Sequence, residues 1–156
     1  TFTMEEVWLE RNPGDNSSVH LIDMPITPSL WHSSELAKKW AVIRQVRRVV
    51  TGALELERRD KNIGSSLEAA PSVYVTTDVA EVLKSVSFAD LCITSSIEIN
   101  TGVAPEAAFS LEDTAGVSVS FAKAVGRKCN RCWKISPDVG SHSYPEVCSR
   151  CNSALK

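Results

Sequence analysis

From Ser34 the chain reads "SELAKKWAVIRQVRRVVTGALELERRDK", with apolar positions returning every three or four residues. At 100° per residue, Val42, Val46, Val49, Ala53 and Leu56 share a narrow stripe, which Ile43, Val50 and Leu54 widen. The pattern predicts one amphipathic helix from about Ser34 to Lys61, with Ser34 as N-cap and Glu35 in the first turn. Opposite the stripe, Arg44, Arg47, Arg48, Arg58 and Arg59 fall on an arc of about 120°. Only Glu55 interrupts that arc, and it is placed to pair with Arg59 at i+4. Upstream, "TMEEVWLERN" predicts a short amphipathic helix carrying Val7 and Trp8. "NPGDNSSVHL" and "DMPITPSLW" read as loops.

After "KNIGSSLEAAP" the period changes from helical to alternating. "SVYVTT" predicts a strand, and "DVAEVLKSV" a short helix capped by Asp78. "LCITSSIEI" predicts a second strand with Cys92 as a buried thiol, and "VSVSFAKAV" a third that runs into the first cysteine pair. "NTGVAPEAAFSLEDTAG" is the connecting loop. These readings give an α+β chain in three parts. Residues 1–63 are helical, 64–126 form a small α/β platform, and 127–156 hold the cysteine-rich end.

That end carries four of the five cysteines, in "CNRC" and "CSRC" with 15 residues between the pairs. Two C-x-x-C turns supply the tetrahedral sulfur shell that Zn²⁺ prefers, at a spacing within the range of zinc sites. The predicted ligands are Cys129, Cys132, Cys148 and Cys151, around one structural Zn²⁺ with no open position for catalysis. A disulfide reading would need an oxidising compartment. His142, between the pairs, reads as a loop histidine beside a shell that is already full. A segment this short buries too little surface to fold alone, so the metal is expected to fold it.

Charge sharpens the picture. Residues 1–126 carry 11 Lys and Arg against 17 Asp and Glu, whereas residues 127–156 carry 6 against 2. Arg127, Lys128, Arg131, Lys134 and Arg150 surround the cysteines, with Trp133 directly after the first pair. Cations interleaved with an aromatic suit phosphate contact and base stacking. The alternative is that the arginines donate to zinc-bound sulfurs while Trp133 packs on the ribbon. The arginine face of the long helix likewise reads either as a polyanion surface or as a solvated face. Four thiolates with one Zn²⁺ add two negative charges, so the positive patch is modest.

Composition excludes several classes. With 43% hydrophobic and 23% charged residues the chain is ordinary globular material. No apolar run approaches the roughly 18 residues of a membrane span, and no basic start precedes an apolar signal segment. A soluble, cytoplasmic chain without a membrane partner is expected. It opens at Thr1 in mid-pattern, as a fragment of a longer protein would. No P-loop, G-x-S-x-G elbow, H-E-x-x-H or open metal site occurs, and His20, His32 and His142 lack an evident nucleophile partner. No catalytic residue is predicted.

Four stretches, "FTMEEVW" at 2–8, "RRVVTGALELERRDKNIGSSLEA" at 47–69, "KCNRCWK" at 128–134 and "CSRC" at 148–151, line up with one family. Together they resemble the C-terminal end of bacterial-type isoleucyl-tRNA synthetases, in the right order, with about 72–126 matching in outline. The resemblance implies a class I aminoacyl-tRNA synthetase that uses ATP to attach isoleucine to its tRNA. Its HIGH-type and KMSKS-type motifs are absent from this segment, which is expected to be inactive alone and not to bind ATP. It implies that residues 1–63 are the end of the anticodon-binding helical bundle, with the remaining domains of the synthetase as partners. The bundle and zinc ribbon would hold the anticodon side of the isoleucine tRNA. Two rival readings are the DNA-binding finger of a formamidopyrimidine-type DNA glycosylase and a zinc-ribbon scaffold that binds protein. The first needs an N-terminal proline nucleophile and a helix-turn-helix before the finger. Neither is found.

Overall fold

The computed structural model describes residues 2–155, which form two compact units divided after Ser34. In the first, α1 (Phe2–Arg11) is held by polar contacts rather than by a core. The Trp8 indole donates to the Ser17 hydroxyl at 2.9 Å, and the Val19 N–H donates to the Glu5 carboxylate at 2.9 Å. No residue of α1 is buried, and Phe2, Met4 and Val7 are exposed.

The second unit is built on α2, Ser34–Arg59. Ser34 is already its first helical residue, so the cap lies one position earlier than the sequence suggested. The helix also stops sooner than Lys61. Lys61 takes φ of 61°, and the Lys61 and Asn62 N–H groups bond back to the Arg58 and Glu57 carbonyls. This left-handed turn satisfies carbonyls that would otherwise be orphaned. The buried stripe is Ile43, Val46, Val49, Val50, Ala53 and Leu54. It sits slightly to one side of the expected one, because Val42 is half-buried and Leu56 exposed. Glu55 pairs with Arg58, at 2.9 Å, rather than with Arg59.

The stripe packs on a three-stranded sheet. Its strands are β1 (Ser72–Tyr74), β2 (Glu98–Asn100) and β3 (Ser118–Ser120), in the order β2-β1-β3. β1 runs parallel to β2 and antiparallel to β3. Between β1 and β2 lie α3 (Thr77–Lys84) and α4 (Phe88–Leu91), which add Ala80, Leu83 and Phe88 to the core. Valines 46, 49, 73 and 119 join one buried cluster. The boundary drawn at residue 63 from the change of period therefore falls inside a single core.

Two local expectations are corrected. Asp78 does not cap α3; the helix starts at Thr77 after Thr76, leaving Asp78 in the first turn, where its charge still favours the helix dipole. "LCITSSIEI" is not one strand. Leu91 ends α4, Cys92 caps it, and Ile93 turns with φ of 57°. The Thr94 N–H closes the turn on the Ala89 carbonyl at 3.0 Å. This C-cap geometry removes the segment from the sheet until Glu98. Cys92 is buried as expected, but at a helix end, and burial pushes its thiol up to about 12.

The chain then enters a second, two-stranded sheet, β4 (Arg127–Lys128) against β5 (Ile135–Ser136), followed by α5 (Ser149–Ala154). Gly126 opens this ribbon with φ of 126°, and a Cβ there would collide with the backbone of Ser136 and Pro137. Only glycine fits so close an approach. Gly126→Ala is expected to destabilise the zinc-loaded ribbon by about 1–3 kcal/mol. A lower urea midpoint would report it. Gly102→Ala, which meets nothing within 4 Å, serves as the control and should stay within about 0.5 kcal/mol.

Candidate metal centre

The β4–β5 hairpin carries the first cysteine pair in its turn, and the second pair opens α5. Cys129, Cys148 and Cys151 are buried and Cys132 is half-buried. All four sulfurs lie within 4.8 Å of one another, and Cys132 Sγ stands 3.7 Å from Cys148 Sγ. A tetrahedral Zn²⁺ with bonds of about 2.3 Å sets its sulfurs about 3.8 Å apart. The Cys132–Cys148 separation matches that geometry, and the whole cluster lies within about 1 Å of it.

Electrostatics point the same way. Burial would push the Cys129 thiol up, but N–H groups of Cys132, Cys148 and Arg131 outweigh it and bring the thiol down to about 6. One of these bonds is the Cys148 N–H on Cys129 Sγ at 3.4 Å. Burial and the neighbouring thiols push Cys132 up to about 12 and Cys148 also upward. So many thiolates cannot ionise side by side without a cation among them; a Zn²⁺ held by the four sulfurs would supply that charge and favour the thiolate form of each. The four cysteines would hold one Zn²⁺ in a closed, structural shell with no position left for a reacting water.

The loop between the two cysteine pairs contains a structural residue that spacing alone did not reveal. Asp138 accepts from the Ser136 hydroxyl, lies 2.8 Å from His142 Nε2, and accepts the Ser149 N–H at 2.7 Å. These contacts, the Ser136 hydroxyl foremost, hold its carboxyl well below the usual carboxylate range. Asp138 thus ties β5 and the inter-pair loop to the residue directly after Cys148. His142 faces this carboxylate and not the sulfurs. The signal was present in composition: Asp138 is one of only two acids in residues 127–156.

The cations predicted to meet nucleic acid are spread over several partners. On α2, the Arg47 Nε–H donates to the Leu91 carbonyl at 2.7 Å, and Arg48 donates to Asp113 at 2.5 Å and to the Thr114 hydroxyl. Arg58 bonds Glu55 and the Ser66 hydroxyl, each at 2.9 Å, and Arg59 lies 3.4 Å from Asp60. Arg44 is exposed. Around the sulfurs, Arg131 donates to Cys151 Sγ at 3.6 Å, which raises the guanidinium pKa further. Lys134 pairs with Asp90, and Arg150 lies 4.0 Å from the same carboxylate. Arg127 is exposed, and the Lys128 ammonium sits 5.4 Å above the Trp133 ring. Trp133 is 61% exposed, with φ of 67°. It lies with Lys128 and Ile135 around a cavity of about 270 Å³ that also involves Ser65, Leu67 and Glu68.

With this geometry in view, residues 126–154 match the family described as "Zinc finger found in FPG and IleRS". The ribbon is therefore a zinc finger of that class. Nearly the whole chain, 99%, aligns with isoleucine–tRNA ligases: 54% identity in Ruegeria pomeroyi, 52% in Bartonella henselae and 48% in Agrobacterium fabrum. The chain is similar to isoleucine–tRNA ligases along nearly all of its own length and spans 16% of the length of these relatives.

Asp138→Ala unties β5 and the inter-pair loop from Ser149. Because metal binding is coupled to folding of the ribbon, zinc affinity is expected to weaken about 10-fold, the scale of one lost hydrogen bond to a charged group. Competition with a chromophoric chelator measures this. Full removal of zinc should abolish amide protection across residues 127–154 while the valine core around α2 keeps its own, read by hydrogen exchange.

Proposed function

We propose that this chain is the tRNA-holding C-terminal part of an isoleucine–tRNA ligase, acting on the anticodon side of the isoleucine tRNA. The parent enzyme would use ATP to join isoleucine to that tRNA in the cytoplasm, with its catalytic centre in domains outside these 156 residues. Residues 1–63 would serve as the end of the anticodon-binding bundle, 64–126 as a linking platform that shares its core with the long helix, and 127–156 as the ribbon. Cys129, Cys132, Cys148 and Cys151 are its proposed zinc ligands. Two observations support the reading: the alignment of nearly the full chain with ligases of this name, and an exposed Trp133 flanked by Lys128. An open indole face beside a cation is suited to a stacked base next to a phosphate.

The internal contacts of the basic residues narrow which of them carry RNA contact in this proposal. Trp133, Lys128, Arg127 and Arg44 are the leading contacts. Arg47, Arg48, Arg58, Arg59, Arg131, Lys134 and Arg150 reach RNA only while sharing their charge with a protein partner. Among the described residues no helix is long and apolar enough to cross a membrane, and no membrane role is part of the proposal.

Binding to an isoleucine tRNA transcript, a non-cognate tRNA and a DNA duplex across a salt series tests the reading. Preference for the isoleucine tRNA is expected. Trp133→Ala should remove about 1–3 kcal/mol of binding, the scale of one stacked base. Lys128→Ala should lower the logarithmic salt slope by about 1. Preference for the duplex would transfer the ribbon to the glycosylase type of partner.

A further inference from the structure

The ribbon has an apolar core of its own, formed by Cys129, Val139, Val147, Cys148 and Cys151 with Cys132 beside it. None of these residues joins the larger cluster built around α2 and the three-stranded sheet. Shared hydrophobic burial therefore does not fix how the ribbon sits on the platform. Directional polar contacts must do so, and they converge on α4 and the turn after it.

We propose that Asp90 is a positioning residue, a single carboxylate of the platform that grips both zinc knuckles and sets the ribbon's orientation against the long basic helix. Asp90 pairs with Lys134, two residues after Cys132, and lies 4.0 Å from Arg150, one residue before Cys151. The Lys134 side chain is only 23% exposed, so this pair is partly shielded from salt. The Lys134 hydrogen bond also holds the Asp90 carboxyl below its ordinary range. Asp90 can act as a fixed point because α4 is itself fixed. Phe88 anchors it in the core, and the Arg47 side chain of α2 holds its last carbonyl at Leu91. A second contact sets the rotation about this grip. The Ile135 N–H donates to Ser95 Oγ at 2.7 Å, and that hydroxyl donates to the Leu67 carbonyl at 2.5 Å.

The consequence for RNA rests on the tRNA-holding reading above and has a definite sign. Lys134 and Arg150 act inward, as the handles by which the ribbon is held. Removing Asp90 frees two positive charges and removes one negative charge. If those cations were phosphate contacts restrained by a competing acid, the Asp90→Ala variant would bind tRNA more tightly. As a positioning residue its loss must weaken binding, by roughly fivefold or more, the usual scale of coupling between two sites. The salt slope would not rise, because no new phosphate contact forms.

Residual dipolar couplings on the zinc-loaded 156-residue chain supply a readout that needs no RNA. In the unaltered protein, amides of α2 and of the ribbon are expected to fit one alignment tensor. In Asp90→Ala with zinc retained, the ribbon is expected to need a tensor of its own, and the charge exchange Asp90→Lys with Lys134→Asp should restore a common one. A single shared tensor in zinc-loaded Asp90→Ala overturns the proposal, as does tighter tRNA binding by that variant. If Asp90→Ala fails to fold, the near-isosteric Asp90→Asn carries the same test, and an unchanged ribbon orientation in it is equally fatal. Absence of tRNA binding by the unaltered chain would count against the functional reading alone, since the couplings still decide the role of Asp90.

Discussion

Four sulfurs drawn within 4.8 Å of one another impose the constraint on which the end of this molecule depends. Thiolates at that separation repel, and protonated thiols leave a weakly bonded polar cluster where a small ribbon needs its centre. A divalent cation resolves both problems at once. The backbone is arranged to receive it: Cys129 starts the hairpin turn, its carbonyl accepts the Trp133 N–H, and the second pair begins a helix. Asp138 then connects the strand side to the helix side by accepting from the Ser136 hydroxyl and the Ser149 N–H. The valines pack directly against the four cysteines, and the aspartate braces the loop between the two pairs.

The platform solves a different problem with a different interaction. One face of α2 is covered by short strands whose few paired residues would be marginal alone. Burial of Ile43, Val46, Val49 and Val50 with Val73 and Val119 supplies the cohesion that three-residue strands lack. The helix's arginines then reach outward from this core to the loops, binding the Leu91 carbonyl, Asp113 and Ser66. A face that looks like a surface for polyanions is, in large part, a set of clips that holds the loops of the platform against the helix.

Charge in this protein therefore has two uses, and they are separated in space. Arg131, Lys134 and Arg150 act inward, on a zinc-site sulfur or on Asp90. Lys128 and Trp133 form an open pair on the ribbon, next to a small cavity shared with the Ser65–Glu68 segment. Under the proposed tRNA-holding role, a surface with few cations but one well-placed aromatic would gain more of its contact from stacking and shape than from net charge. That agrees with a chain whose overall charge is −2.

Short-range information determined much of this. The long helix followed from its 3.6-residue period, the α+β class from the change of period after residue 63, and the gathering of sulfurs from the C-x-x-C spacing. Each depends on neighbours within a turn or two, so a linear pattern carries it. Tertiary structure decided the rest. Ile93 takes a left-handed turn that its β-branched side chain disfavours, because closing α4 on the Ala89 carbonyl and burying Thr94 outweigh local preference. The partners of Arg47, Arg48 and Lys134 lie 44 to 66 residues away, at separations where nothing in the local pattern names the partner. The same distance hides Asp90 from any motif. Its meaning comes from two knuckles, 44 and 60 residues further on, that folding alone brings to one carboxylate.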